Sequence, residues 1–379
     1  MKIGIVTMSL QMNYGGLLQA YALKTLLEDS GHEVTVFDLK RKVCFPKPIK
    51  APFIYLKRSL LRIIKGNSGP EVLREYRLRR EYPFVSSKVS QFTSEYISPR
   101  MLNSYSDIRK GEYDAFVVGS DQVWRPEYFL QIRDAFLMFT KGWDIKRVAY
   151  AASFGTDEME YEYSLLEECS SLLSKFDAVS VRESSAVRMC DEWFDREDAV
   201  HVLDPVMMLA KEKYMDIVGN RENPDADGSI VTYILDRSPV KSAVADFVAK
   251  VTGRRICDVS VYPKDRFIPL SQRVVPPLEH WLASFMAAEF VVTDSFHGCV
   301  LAILFHKPFL VVGNKSRGLA RIDSLLGIFG LEHRLVDGID PDDDGKDWLM
   351  EFDWERIDSV LNEYRALSYG FLQKALQVD

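Results

Sequence analysis

Cysteine and histidine are scarce in this 379-residue chain. Cys44, Cys169, Cys190, Cys257 and Cys299 form an odd, scattered set without a CxxC pair. That excludes a disulfide framework or a zinc ribbon and suits a reducing compartment. The six His are dispersed with no HxxxH spacing, so metal-free chemistry is expected. No uncharged apolar run approaches the roughly 20 residues that cross a bilayer. The opening MKIGIVTMSL is broken at once by Gln11 and Asn13 and lacks the h-region and cleavage site of a signal peptide. A cytoplasmic protein is expected. Positive charge is not in excess either: the net charge is -7, with 47% hydrophobic and 27% charged residues. This is the balance of a soluble globular chain with no nucleic-acid partner, and its length suits two domains.

The average hides a segregated charge. Residues 40–80 hold 13 Lys/Arg against only Glu71 and Glu75, a local +11 that leaves -18 for the rest. Within this block Phe53, Leu56, Leu60, Ile63 and Ile64 fall on one helical stripe, with Lys57, Arg58, Arg62 and Lys65 on the other side. A basic amphipathic helix suits an anionic membrane surface. The alternative is a solvated excursion whose stripe packs on its own domain.

Lys2–Met8 reads as a buried strand, Leu17–Asp29 as a helix and Glu33–Asp38 as a second strand, which makes a βαβ unit and implies a parallel sheet. Strands follow at Ala115–Val118, Val148–Ala152, Ala178–Val181 and Val200–Leu203. The alternation restarts after the acidic stretch Asn220–Gly228. There, strands are read at Ser229–Leu235, Arg255–Val259, Phe290–Thr293 and Pro308–Val312, with a helix over Lys241–Val251. The run Phe116–Asp121 echoes Phe290–Ser295. The expected division is 1–205, with 40–80 as an excursion, 206–353, and a C-terminal helix over 354–379 that returns to the first domain.

Ligands in open α/β domains bind at the carboxyl ends of strands, so the residues just after strands matter most. Asn13-Tyr14-Gly15-Gly16 precedes the first helix, where paired glycines admit an anion or merely make a turn. In Gly119-Ser120-Asp121-Gln122-Val123-Trp124, Asp121 can take a proton from a sugar hydroxyl and Gln122 or Trp124 can position a ring. Equally, Asp121 can cap the next segment and Trp124 can fill the core. Arg182 ends a strand, and suits a carboxylate or phosphate or a salt bridge with Glu183 or a distant acid. Thr293-Asp294-Ser295-Phe296-His297-Gly298 leads into an apolar helix, which places His297 where amides collect an anion and where a proton can be exchanged. Lys315, Arg317 and Arg321 follow another strand and suit an anionic ligand or solvent.

These motifs, with Gln19-Ala20 and Asp204-Pro205, resemble the polysaccharide pyruvyl transferase family over about residues 10–320. The resemblance implies a GT-B-like α/β fold, two Rossmann-like domains facing across a cleft with mostly parallel sheets. It implies transfer of a pyruvyl group from phosphoenolpyruvate, a co-substrate with no further cofactor, to two sugar hydroxyls. The acceptor is a sugar or a lipid-linked oligosaccharide. His297 and Arg182 carry over to the donor, joined on that side by Ser295, Gly298, Lys315, Arg317 and Arg321. Asn13, Tyr14, Gly15, Gly16, Gln19, Ser120, Gln122 and Trp124 are expected on the acceptor side, with Asp121 as base. Family members commonly carry Arg-x-His where this chain has Ser295-Phe296-His297, so a cation from Lys315, Arg317 or Arg321 is expected to substitute. A nucleotide-sugar glycosyltransferase and a non-catalytic carbohydrate-binding or assembly protein are the alternatives.

Overall fold

The computed structural model describes residues 1–40, 45–314, 317–339 and 351–377. Arg41, Lys42 and Cys44 of the basic block, and Lys315, lie outside the described residues.

Seven strands form the first sheet: β1 (Lys2–Val6), β2 (Glu33–Leu39), β3 (Arg100–Leu102), β4 (Ala115–Asp121), β5 (Lys146–Ala152), β6 (Ala178–Val181) and β7 (Val200–His201). Five form the second: β8 (Ile230–Tyr233), β9 (Ile256–Asp258), β10 (Phe290–Thr293), β11 (Phe309–Val312) and β12 (Leu335–Val336). Their orders are β3-β2-β1-β4-β5-β6-β7 and β12-β11-β10-β8-β9, and every pairing is parallel. Alternate residues feed opposite faces, as parallel strands require. Ile5 and Val117 enter one core, while Val6, Phe116 and Val118 enter another. This gives two Rossmann-like domains, and the echoing runs are their strands β4 and β10.

The covering helices in the first half are α1 (Tyr14–Asp29), α2 (Ala51–Lys65), α3 (Arg74–Val85), α4 (Val89–Phe92), α5 (Tyr163–Leu173) and α6 (Ser184–Phe194). Then come α7 (Pro205–Met208), α8 (Lys211–Val218), α9 (Pro239–Thr252), α10 (Leu278–Ala287), α11 (Phe296–Leu304), α12 (Ala320–Phe329) and α13 (Trp354–Leu376). Strand order reverses direction between β1 and β4 in one sheet and between β8 and β10 in the other. Such reversals open a crevice at the strand ends, and here the two crevices face each other.

Contacts between the halves include the following. Tyr14 at the start of α1 donates its hydroxyl to the Pro276 carbonyl at 2.9 Å and stacks on Trp281 with ring centres 4.8 Å apart. Helix α13 returns to the first half, where the Leu203 amide donates to Ser368 at 3.0 Å, and Arg365 ties it to the end of α7 by donating to the carbonyls of Met207 and Leu209 at 2.6 and 2.8 Å. Helix α3 of the basic excursion reaches the second half, with Arg273 donating to Glu81 at 2.8 Å. Helix α2 differs. Arg58 turns inward to Glu75 at 2.8 Å, but the apolar stripe is left largely open: Phe53, Leu56, Leu60, Ile63 and Ile64 are 74%, 59%, 52%, 79% and 77% exposed. The expectation that the stripe covers its own domain does not hold.

Candidate active site

The carboxyl ends of β4, β6 and β7 converge on one guanidinium. Arg182, directly after β6, donates one terminal nitrogen to Asp121 Oδ1 and the other to Asp204 Oδ2, both at 2.9 Å. Asp204 is held by its own backbone context. It caps α7, accepting from the Val206 amide at 2.9 Å, ahead of Pro205 at the first helical position. Its Oδ2 also accepts from Ser120 Oγ at 3.0 Å. Gln19 locks the strand end from beneath: it accepts from the Ser120 amide at 3.0 Å and donates to Thr7 Oγ1 and the Gly16 carbonyl, both at 2.9 Å.

The second half supplies His297 from the first turn of α11. Ser295 caps this helix, accepting weakly from the Gly298 amide at 3.4 Å. Gly298 is needed for packing, since a β-carbon there would fall 2.3 Å from Thr293 Oγ1. Phe296 lies under the Arg182 guanidinium, 4.5 Å from carbon to ring centre, a cation–π contact. His297 Nε2 lies 3.8 Å from Asp204 Oδ2, beyond hydrogen-bond range. Among the described residues it is buried without a hydrogen-bond partner, as are Arg182 Nε and Arg321 Nε. A buried imidazole nitrogen with no protein partner is uncommon and costly.

Behind His297 the second crevice is wired by Asp294. It accepts from the amides of Leu235 and Asp236 after β8 at 2.6 and 3.2 Å, and from Lys241 Nζ at 2.7 Å and Asn314 at 2.9 Å. Arg317 is committed to Asp236, at 2.5 and 3.1 Å. Among the described residues Arg321 on α12 makes one bond, from its terminal nitrogen to the Arg317 carbonyl at 3.0 Å.

Electrostatics divide the roles. Burial works against ionisation of Asp121, but Arg182, His297 and Arg321 outweigh it and bring its pKa down to about 2. Burial drives His297 below its ordinary value; Asp204 and Asp121 pull it up, while Arg182 and Arg321 push it further down. Burial, with Arg182 adding to it, lowers Arg321 to about 10. At neutral pH the centre therefore holds an ionised Asp121, a neutral imidazole and a guanidinium with an unused N–H.

Asn13, Asp121 and Gln122 face Ser295, His297, Arg317 and Arg321 across a cavity of about 50 Å³ between the halves. A larger cavity of about 580 Å³ opens at the ends of β1 and β2, lined by Thr7, Ser9, Asp38, Arg58, Asn103 and Tyr128 among others. Burial raises Asp38 to about 6, against hydrogen bonds from Leu10 and Ser9.

Several expectations need correcting. Trp124 is fully buried, stacked on Phe136 at 5.2 Å, and donates to the Ala135 carbonyl at 3.1 Å; it is core and cannot reach a sugar. Tyr14 belongs to the seam between the halves. Gln19, Ser120, Gly16 and Gly298 are buried parts that shape the site without lining the cavity between the halves. Asp121 is too acidic and too well paired to suit a base, and Arg182 has both terminal nitrogens engaged by carboxylates. Sequence reasoning missed Asp204 and Asp294 as site groups, although the Asp-Pro pair of residues 204 and 205 is a helix-start signal, and it missed Asp38.

The model of the family described as polysaccharide pyruvyl transferase matches residues 13–316. The chain belongs to this family. Family membership makes it a transferase of polysaccharide modification. No curated protein sequence matches it. Among solved structures it is similar to the glycotransferase of kitacinnamycin, at 11% identity over 99% of this chain and 97% of that one, with a TM-score of 0.50. It is also similar to UDP-GlcNAc 2-epimerase from Neisseria meningitidis bound to UDP-GlcNAc, at 12% identity over 99% and 100%, with a TM-score of 0.49. At 11% identity the likeness to the glycotransferase speaks to the fold alone, here the GT-B-like pairing of two Rossmann-like domains.

Proposed function

We propose that the chain transfers the pyruvyl group of phosphoenolpyruvate to two hydroxyls of one sugar, in a surface polysaccharide or its lipid-linked precursor. The product is a cyclic ketal and free phosphate. The supporting observation is the unpartnered Nε2 of His297, buried between Asp204 and the cavity that Arg321 shares. The donor is a small, strongly anionic molecule. The N-terminal amides of α11 and the spare N–H of Arg321 are the groups that suit it. Arg321 thereby stands in for the cation that Ser295 does not provide.

The reaction needs a proton on the donor's methylene carbon, which leaves cationic character at its C2. One sugar hydroxyl adds there and loses its proton; the second then displaces phosphate and closes the ring. His297 is neutral when the site is empty, and the anionic donor beside it raises its proton affinity. Donor binding therefore loads the acid it needs. Arg182 acts as a positioning residue that fixes Asp121 and Asp204 around the imidazole. Asp38, held at about 6, is better tuned than Asp121 to accept protons from acceptor hydroxyls, and its cavity of about 580 Å³ is large enough for a sugar. The narrow cavity at His297 holds only a few waters, so the halves or their loops must part for the donor to enter.

The test is incubation with phosphoenolpyruvate and candidate nitrophenyl or lipid-linked sugars. The sugar should gain the mass of pyruvate less one water as phosphate appears. His297→Ala should abolish both with the fold intact. Turnover of nucleotide sugars in place of phosphoenolpyruvate would reject the reading.

A further inference from the structure

We propose that α2 is a docking helix that seats the protein on an anionic lipid surface. Its five exposed apolar side chains lie on one stripe facing away from the protein, and Ile49 just before the helix is 87% exposed. A buried core helix would hide this stripe, and an ordinary surface helix would not carry it. Lys47, Lys50, Lys57, Arg62 and Lys65 are all exposed, and none takes part in an ion pair among the described residues. The two acids of the block are already committed, Glu75 to Arg58 at 2.8 Å and Glu71 to Arg77 at 2.8 Å. The cations on α2 and its approach thus stay uncompensated by the protein.

This pattern fits a bilayer interface. The stripe enters the boundary of the acyl chains, and the lysines extend their stems to reach lipid phosphates. Charge argues against a second copy of the chain as the occupant, because pairing two such helices would bring their like-charged borders together. No helix among the described residues is long and apolar enough to cross a membrane, so the contact is peripheral. Arg58 from α2, with Arg74 and Leu78 from α3, lines the 580 Å³ cavity. Docking therefore brings that cavity's rim to the lipid surface, which suits a lipid-linked acceptor; this last point rests on the pyruvyl reading, and the docking does not.

The experiment is co-sedimentation of the full chain with vesicles of phosphatidylglycerol and phosphatidylethanolamine, against vesicles of phosphatidylcholine, at low and high salt. Binding is expected only to the anionic vesicles and should weaken with salt. Exchanging Ile63 and Ile64 for Asp should lower it more than tenfold, and each lysine neutralised should lower it about fivefold. The melting temperature should hardly change, because Ile63 and Ile64 are 79% and 77% exposed. Equal binding to phosphatidylcholine, binding unaffected by the two Asp substitutions, or a dimer that those substitutions dissociate would overturn the proposal. Turnover of a soluble nitrophenyl sugar should survive the two substitutions while turnover of a lipid-linked one is lost. A chain inactive on every sugar yet bound to anionic vesicles would sink the pyruvyl reading and leave the docking standing.

Discussion

Gly15 of α1 lies against the imidazole of His297 across the seam between the halves: a β-carbon at Gly15 would fall 2.1 Å from Nδ1. No real β-carbon tolerates that distance, so either the ring or the helix must move. Within a helix, alanine is favoured over glycine by about 1 kcal/mol, so Gly15→Ala has no backbone reason to do harm. The substitution should lower kcat at least 100-fold, because misplacing a reacting group by about 1 Å carries a cost of that order. The melting temperature should fall by only a few degrees. Unchanged turnover would mean that the imidazole needs no fixed position.

Arg182 balances two carboxylates that are themselves almost fully buried. Removing one partner of a buried ion pair costs about 3–5 kcal/mol, since the charge left behind has neither water nor counterion. Arg182→Gln strands two. Urea unfolding should show a loss at the upper end of that range, and adding Asp121→Asn should restore part of it. Arg182→Lys should fall between, because an ammonium cannot bridge both acids with a rigid fork. A loss under about 1 kcal/mol would mean that water reaches the cluster and screens the stranded carboxylates.

Most of the parallel strands were legible as short apolar runs, and Ala178–Val181 and Phe290–Thr293 were read to the residue. The strands β3 and β12, of three and two residues, carry too few side chains to show a pattern. His297, Asp121 and Arg182 were singled out because each follows a strand, and the fold does gather them. Their partners could not be read. Whether Arg182 faces a ligand or an acid depends on Asp121 and Asp204, which lie far from it in sequence and reach it only through the strand order. Gly15 was read as an anion-admitting turn for the same reason: its neighbour is 282 positions away. Trp124 shows the limit of residue type, since an aromatic after a strand serves a core as readily as a sugar.

With His297 as the proposed acid, its titration should set the pH response of donor binding. Its pKa is below the ordinary value in the empty site because burial disfavours the charged ring. A bound anion favours it. Binding must therefore take up a proton when it occurs above the empty-site pKa, and affinity must fall as pH rises. Above about pH 7 the donor phosphate is itself fully ionised, so the protein's proton can be read alone. Between there and the pKa of the loaded imidazole, affinity should weaken by about tenfold per pH unit; above that pKa it should be nearly flat. Calorimetry in buffers of different ionisation enthalpy should show close to one proton taken up below that point. In His297→Ala the uptake should vanish, and its persistence would assign the proton to another group.

Arg317 and Arg321 follow the same strand, yet their surroundings separate them. Arg317 is tied to Asp236 through two nitrogens and has that charge already answered. Arg321 is buried beside Asp121 and Arg182 with Nε unpartnered, and the nearby guanidinium helps to lower its pKa to about 10. An incoming anion relieves that repulsion at Arg321 and gains little at Arg317, where it would have to compete with Asp236. Arg321→Gln should therefore raise KM for phosphoenolpyruvate more than tenfold, in keeping with a charged hydrogen bond of about 1.5–3 kcal/mol. Arg317→Gln should change it by less than threefold, an effect below about 1 kcal/mol. KM for the acceptor sugar should be unaffected in Arg321→Gln. Initial rates with each substrate varied in turn would check all three, and an Arg317 effect larger than that of Arg321 would place the donor on the Asp236 side of the cavity.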